Sequence, residues 1–437
     1  MQACSKLPLL LVLLAAALLC SNVADAAENK RVLALIGTSS IKDSHSQFFS
    51  SLKEAGFSVD IKSAKDKDLK LKDFDTFLYD SLIIFAPKAA KFGGDISSAA
   101  ILDFVDSGKN LLLAASSDAS DAVRSLALEC GVELDDKATT VYDHFSHQAA
   151  GGAADPTLIA TAALVDSKAI FGSSPPKAPI LFKGVAATVP SSAELVTVAL
   201  SGEASSYSHD PKKAMPEPPS LPVGGTAALV SLVQARNNAR VMVAGSLDMF
   251  SNELFDASVK VAASGAKFAK SGNKDFATAV ALWTLGDRGV LKVGALSHHL
   301  VSDPAVEPSL YRVNDEVEVA LDVHLVEGGK VTPYQADDLQ VSFVMLDPYV
   351  RQPMTNDGAG RFSLRFTVPD VYGVFKYVID YKHAGYSYIN LQRVVPVRPF
   401  KHDEYERFLA AAWPYYASVA STMAAFFMLG WVYLYSK

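Results

Sequence analysis

The chain has 437 residues, with 40 Lys and Arg against 47 Asp and Glu, and carries a net charge of −7 at neutral pH. That balance leaves no surplus of cations to neutralise a run of phosphates, which removes the electrostatic basis for nucleic-acid binding. The three cysteines, Cys4, Cys20 and Cys130, are too few for a disulfide framework, so the fold must rest on buried apolar area spread over several domains.

Apolar residues make up 50% of the chain, and the excess over an ordinary soluble protein lies at the two ends. Lys6 precedes an unbroken apolar stretch, Leu7 to Leu19, and Ala24-Asp25-Ala26 supplies the small residues a signal peptidase accepts. Residues 1–26 therefore read as a signal peptide cleaved after Ala26, the alternatives being an uncleaved anchor or a buried helix. Cleavage leaves Cys130 as the single thiol of the mature chain.

A repeating strand–helix pattern follows over residues 27–150. Arg31 to Ile36, Ser81 to Phe85 and Asn110 to Ala115 are continuous apolar runs, the mark of strands buried on both faces of a parallel sheet. Helical spacing runs from Ser44 to Ala55 and from Ile96 to Val105, the second closed by Ser107-Gly108. The pattern predicts a doubly wound α/β domain.

Ligands of such a domain bind at its strand ends, and the chemistry there is sparse. Gly37-Thr38-Ser39-Ser40-Ile41 resembles a nucleophile elbow, but Ile41 replaces the glycine that lets the chain turn sharply, so a plain strand-to-helix loop is the better reading. Cys130 lies at a helix end in Glu129-Cys130-Gly131. His144 and His147 are three apart and could share a metal on one helical turn, yet no further Cys or Glu joins them, which favours a solvated polar loop. His298 and His299 would point to opposite sides of a strand. The residues give no catalytic group, no cofactor site and no metal site.

Residues 151–225 hold ten of the 21 prolines, a density that prevents long helices and central strands, so this region reads as an excursion of short strands such as Ile180 to Phe182 and Leu195 to Ala199. The α/β character returns over residues 226–297, with a buried strand at Ala239 to Ala244, a turn at Gly245-Ser246-Leu247-Asp248 and a helix from Phe276 to Leu285. This second segment is expected to pack on the first.

Residues 298–400 alternate as half-buried antiparallel strands do: Val317, Val319, Leu321, Val323 and Leu325, then Phe362, Leu364, Phe366 and Val368 after the Asn356-Asp357-Gly358 turn, then Phe375, Tyr377, Ile379 and Tyr381. They predict a β-sandwich.

A juxtamembrane stretch, residues 401–413, leads to a span at 414–435 and a short cytosolic tail at 436–437. No charged residue occurs from Phe408 to Ser436, and a bilayer crossing needs only about 20 helical residues. Pro414 suits the first helical turn, and Trp413, Tyr415 and Tyr416 at one end and Trp431, Tyr433 and Tyr435 at the other form aromatic belts. The chain reads as a type I membrane protein with its bulk translocated. Ala417, Ser418, Ser421, Thr422 and Ala425 make the first half of the span small, which would let a partner helix approach closely; a lipid-facing Ala/Ser helix is the alternative.

Several strings carry a resemblance: Leu78 to Phe85, Gln234-Ala235-Arg236-Asn237-Asn238-Ala239-Arg240, Gly245 to Ser251, Asp370 to Phe375, Tyr405 to Phe408 and Trp413 to Ser418. They closely resemble the single-span lumenal 48 kDa subunit family of oligosaccharyltransferase, over nearly the whole mature chain. The resemblance implies residence in the endoplasmic reticulum membrane, in a complex that moves a preassembled glycan from dolichyl diphosphate to Asn of Asn-x-Ser/Thr. It implies a non-catalytic, architectural role beside a catalytic polytopic subunit, a small DAD-type subunit and ribophorin-type subunits. The first domain is also similar to the glutamine-amidotransferase fold, without the cysteine those enzymes require. Two other function classes are weighed against this one: a membrane-tethered lumenal hydrolase using Ser39 or Ser246, and a sugar-binding receptor built on the β-sandwich.

Overall fold

The computed structural model describes residues 30–149, 155–172, 175–214, 222–262, 265–405 and 410–436. The expected signal peptide, Met215 to Pro219, Glu406 to Phe408 and the terminal Lys437 lie outside the described residues. The protein is a sheet-rich mixed structure with one C-terminal apolar helix.

The largest sheet has nine strands: β1 (Arg31–Ile36), β2 (Ser58–Ser63), β3 (Ser81–Phe85), β4 (Asn110–Ala114), β5 (Glu133–Leu134), β6 (Ala187–Thr188), β7 (Val196–Ser201), β8 (Ala228–Gln234) and β9 (Arg240–Ala244). Its order is β2-β1-β3-β4-β9-β8-β6-β5, with β7 also paired to β8. The pairs from β2 to β9 are parallel, and every pair from β8 outward is antiparallel.

The central strands are apolar throughout because both faces are covered. Val32, Ala34 and Ile36 pack with helices α1 (Ser46–Glu54) and α4 (Asn273–Thr284), whereas Leu33 and Leu35 pack with α2 (Ser98–Asp106) and α3 (Asp121–Glu129). Side-chain hydroxyls fix two helix starts: Ser97 Oγ accepts from Ala100 N at 3.1 Å, and Ser120 Oγ from Val123 N at 3.4 Å.

Three expectations shift. The segment expected as one helix from Ser44 to Ala55 is a short helix, Ser40–Ser44, followed by α1, because His45 leaves helical geometry (φ −117°, ψ 21°) to bury its ring. Helix α4 starts at Asn273 rather than Phe276. The buried Asn273 amide bonds both N and O of Leu181 at 2.7 Å, tying the helix to the strand Ile180–Phe182. The segment expected to pack on the first sheet instead enters it, since β9 pairs directly with β4.

The second body holds two sheets around a shared core. One contains β10 (Val290–Val293), β11 (Ser297–Leu300), β13 (Glu316–Glu327), β14 (Lys330–Pro333), β17 (Thr355–Asn356) and β18 (Arg361–Thr367). The other runs β12 (Tyr311–Arg312), β20 (Ile389–Arg398), β19 (Gly373–Tyr381), β15 (Gln340–Val344) and β16 (Pro348–Pro353). The alternation predicted along β13, β18 and β19 supplies the core, where Phe343 stacks on Phe375 with ring centroids 4.4 Å apart.

The two bodies are joined at a polar seam built on the β8–β9 hairpin, whose sequence is Gln234 to Arg240. Arg240 is 2% exposed, and its guanidinium donates to the carbonyls of Trp283 (2.7 Å), Arg288 (2.6 Å) and Gly289 (2.7 Å) while lying over the Trp283 ring. Burial pulls this guanidinium down to about 10, still far above physiological pH, so it stays charged. Across the seam, Asn238 exchanges two hydrogen bonds with the backbone of Tyr388, donating to its O at 3.2 Å and accepting from its N at 2.6 Å. Gln234 bonds Tyr386 O and Gly385 N, and Trp283 Nε1 donates to Gly385 O at 2.7 Å. Asn237 points the other way, donating to Val105 O and Asp106 O at the end of α2. Asn238 sits at φ 67°, a left-handed position that asparagine tolerates.

Replacing Arg240 with Ala strips three carbonyls of their donor, each costing about 1–3 kcal/mol if left buried and unpaired. Thermal unfolding of the full chain in detergent should show Tm falling by several degrees, whereas an unchanged Tm would mean the seam does not hold the bodies together.

Candidate functional site

The strand-end loops of the large sheet, where a parallel sheet binds its ligands, carry Ser39 and Ser246. Ser39 stands before the short helix Ser40–Ser44 and makes no side-chain hydrogen bond among the described residues. Ser246 is buried, donating to Lys183 O at 2.6 Å and receiving Met249 N at 3.3 Å, so its proton is committed to a carbonyl. Neither hydroxyl meets an imidazole.

The imidazole closest in sequence is His45. Its Nε2 is 3.2 Å from Leu247 O, which requires a proton there, so Nδ1 accepts from the adjacent Ser44 hydroxyl at 2.8 Å. Burial lowers its pKa, with Leu247 and Asp248 opposing the shift. A neutral His45 thus ties the loop after β1 to the turn after β9.

The remaining candidates are dispersed. Asp143 is fully buried and its Oδ1 accepts from Phe145 N, Ser146 N and Ser205 Oγ, which bends the chain into a loop rather than a helix. His144 Nε2 lies 3.0 Å from Tyr207 Oη, and His147 pairs through its backbone with Ile159. His298 and His299 do face opposite ways: His298 is buried, with Nδ1 2.8 Å from Tyr311 Oη, and His299 is half-exposed. Burial is the main cause of the lowered His298 pKa, despite Glu307 Oε1 at 3.1 Å from Nε2. That pair is close but poorly aligned, so it is not a hydrogen bond. Among the described residues, no three His, Cys, Asp or Glu side chains form a cluster able to hold a metal.

A cleft of about 700 Å3 lies where the two bodies meet at the seam. Tyr386, Tyr388 and His383 line it from the sandwich, and Asp166, Lys168 and Glu194 from the large-sheet body. On its sandwich wall Tyr334 Oη and Tyr381 Oη are 2.8 Å apart, and Tyr381 donates to Asp338 Oδ1 at 2.9 Å. Burial first, then these neighbours, pushes the Tyr381 phenol far up, so it keeps its proton as a donor to Asp338. The cleft offers aromatic faces, hydroxyls and carboxylates, but no activated nucleophile. Sequence reasoning missed it because its parts come from segments far apart in the chain and none forms a motif.

The C-terminal helix α5 (Trp413–Tyr435) has Pro414 in its first turn and packs against neither body. Its serine and threonine hydroxyls are satisfied within the helix: Ser418 Oγ to Tyr415 O and Ser421 Oγ to Ser418 O at 2.8 Å, and Thr422 Oγ1 to Ser418 O at 2.7 Å. With Ala410–Ala412 it forms a 26-residue apolar segment, long enough to cross a bilayer. Fold and helix together define a protein with two sheet-built bodies and one apolar segment compatible with a single span.

The family can be named from comparison. The family described as OST48, N-terminal domain, matches residues 23–287, and the OST48 middle domain matches residues 298–437. Proteins named dolichyl-diphosphooligosaccharide–protein glycosyltransferase 48 kDa subunit are 44% identical in Arabidopsis thaliana (94% of this chain, 93% of that one), 40% in Danio rerio (93% and 92%) and 37% in Caenorhabditis elegans (93% and 92%). The chain belongs to the OST48 family. A solved ThuA-like protein from Parabacteroides merdae covers 59% of this chain and 90% of its own at 12% identity and a TM-score of 0.31, too weak to bear on the fold.

Cys130 follows α3, and burial, then Glu129, pushes its thiol up to about 11. At pH 7.4 its alkylation by iodoacetamide should be on the order of a hundredfold slower than for the same thiol in denaturant. Equal rates would show an unperturbed thiol, and a rate faster than in denaturant would show an activated thiolate and reopen a nucleophilic role.

Proposed function

We propose that this chain is a non-catalytic, architectural subunit of the oligosaccharyltransferase complex, which transfers a preassembled glycan from dolichyl diphosphate to Asn of Asn-x-Ser/Thr in nascent proteins. The observation that carries the non-catalytic part is the state of the strand-end loops: Ser246 is bonded to a carbonyl, Ser39 lacks a base and Cys130 is held as a thiol. We take the first body as doubly wound and amidotransferase-like; the parallel order β2-β1-β3-β4-β9, with helices on both faces, supports this. The proposed units keep the sequence boundaries at residues 150, 225, 400 and 413, while the one expected at 297 moves to before Val290, whose strand β10 pairs with β13 of the sandwich.

In this reading residues 1–26 direct the chain into the endoplasmic reticulum, α5 anchors it as a type I protein, and both bodies stand in the lumen. The partners are the catalytic polytopic subunit, a DAD-type small subunit and ribophorin-type subunits. Ala417, Ser418, Ser421, Thr422 and Ala425 form the contact stripe of α5. Because the hydroxyls are already bonded within the helix, association there would rest on close packing rather than on interhelical hydrogen bonds.

Depleting the chain should lower glycan occupancy on secretory proteins and reduce the complex on native gels; normal occupancy with an intact complex would overturn the reading. Ser421→Leu should cost membrane partners in a mild-detergent pull-down followed by mass spectrometry, and full retention would remove the stripe from the account.

A further inference from the structure

The sandwich has two distinct ends. Strand β13, 12 residues and about 36 Å long at roughly 3.3 Å per residue, finishes beside the large-sheet body, where Gly328 N bonds Asp287 O. Its other end lies with the chain exit: Glu316 opposes Thr367, Gly373 opposes Val397, and Arg312 pairs with Arg398.

At this second end the exit chain is fastened down. The Arg398 guanidinium grips both Glu404 oxygens at 2.6 and 2.7 Å, and Glu404 also accepts from Lys401 N at 2.9 Å. These bonds hold the Glu404 carboxyl at about 2, so the clamp stays charged at any physiological pH. Arg312 lies over the Phe400 ring, and Phe400 meets Tyr405 with ring centroids 5.5 Å apart. Tyr405 therefore belongs to the sandwich end. Only eight residue steps separate it from Trp413, a reach of at most about 28 Å. The sandwich cannot stand far from the level of Trp413, Tyr415 and Tyr416.

The same end carries exposed apolar tips. Leu346 is 94% exposed, Tyr372 68% and Val374 58%. Leu346 crowns a tight loop in which Met345 N bonds Asp347 O. Gly373 lies so close to Met345 that a Cβ there would sit 2.5 Å from its sulfur, which sets Tyr372 beside that loop.

We infer that this end of the sandwich rests on the bilayer surface, with Leu346 and Tyr372 seated in the interfacial layer. Three features favour a lipid surface as the occupant: the short tether, the position of the residues on protruding loop tips, and the amphipathic character of tyrosine, which suits the headgroup level. The contact would fix the height and tilt of both bodies over the membrane, beyond what one membrane-spanning helix can do.

The test uses the full chain in its complex, in phosphatidylcholine nanodiscs, with a cysteine-free parent (Cys4, Cys20 and Cys130 replaced by Ala). Leu346→Cys and Tyr372→Cys carry an environment-sensitive fluorophore, and lipids carry a nitroxide near the headgroup. Phe74→Cys, 96% exposed on the large-sheet body, is the reference. The proposal expects at least about twofold stronger lipid quenching than at Phe74, with blue-shifted emission. Quenching no stronger than at Phe74 overturns it, whether emission is red, which means water, or blue, which means a neighbouring subunit.

Discussion

A single buried guanidinium organises the two-body arrangement. Arg240 begins the strand that completes the parallel run of the large sheet, and its side chain binds the carbonyls of the segment that leads into the sandwich. One planar group meets three carbonyls at once from two nitrogens held in a fixed geometry, whereas the three donors of a lysine ammonium radiate from a single atom. The surrounding hairpin spends its remaining amides on both neighbours, Asn237 on α2 and Asn238 and Gln234 on the loop from Gly385 to Tyr388. The seam is thus polar and directional, and it fixes a geometry as well as contributing stability.

From this seam the architecture follows in order. The large sheet and its helices stand at one end of the sandwich, the clamp of Arg398 on Glu404 closes the other, and α5 follows within a few residues. The strand-end loops, where an α/β enzyme would place its reactive groups, are occupied by structural hydrogen bonds around Ser246 and His45. Such an object suits the positioning of other components, in keeping with a subunit of a glycosyltransferase complex.

The sequence made much of this legible, for physical reasons. Strands buried on both faces must be apolar throughout, so β1, β3 and β4 stood out, and half-buried strands must alternate, so β13, β18 and β19 did too. The break at His45 was hidden because a buried imidazole bonded to Leu247 O depends on a residue some two hundred positions away. The string from Gln234 to Arg240 was visible as a family mark, yet its work at the seam was not. Its bonds across the seam run to segments remote in sequence, and the cleft lined by Tyr386 and Tyr388 is likewise assembled from distant segments. The small stripe of α5 can be read from the helix alone.

In the proposed role the chain builds the transferase without taking part in its chemistry. The most direct measurement is complementation of depleted cells with a chain bearing Ser39→Ala, Cys130→Ala, His144→Asn and His147→Asn together, reading complex assembly and glycan occupancy side by side. The account predicts that both return to normal. A complex assembled in full amount but unable to restore occupancy would contradict it.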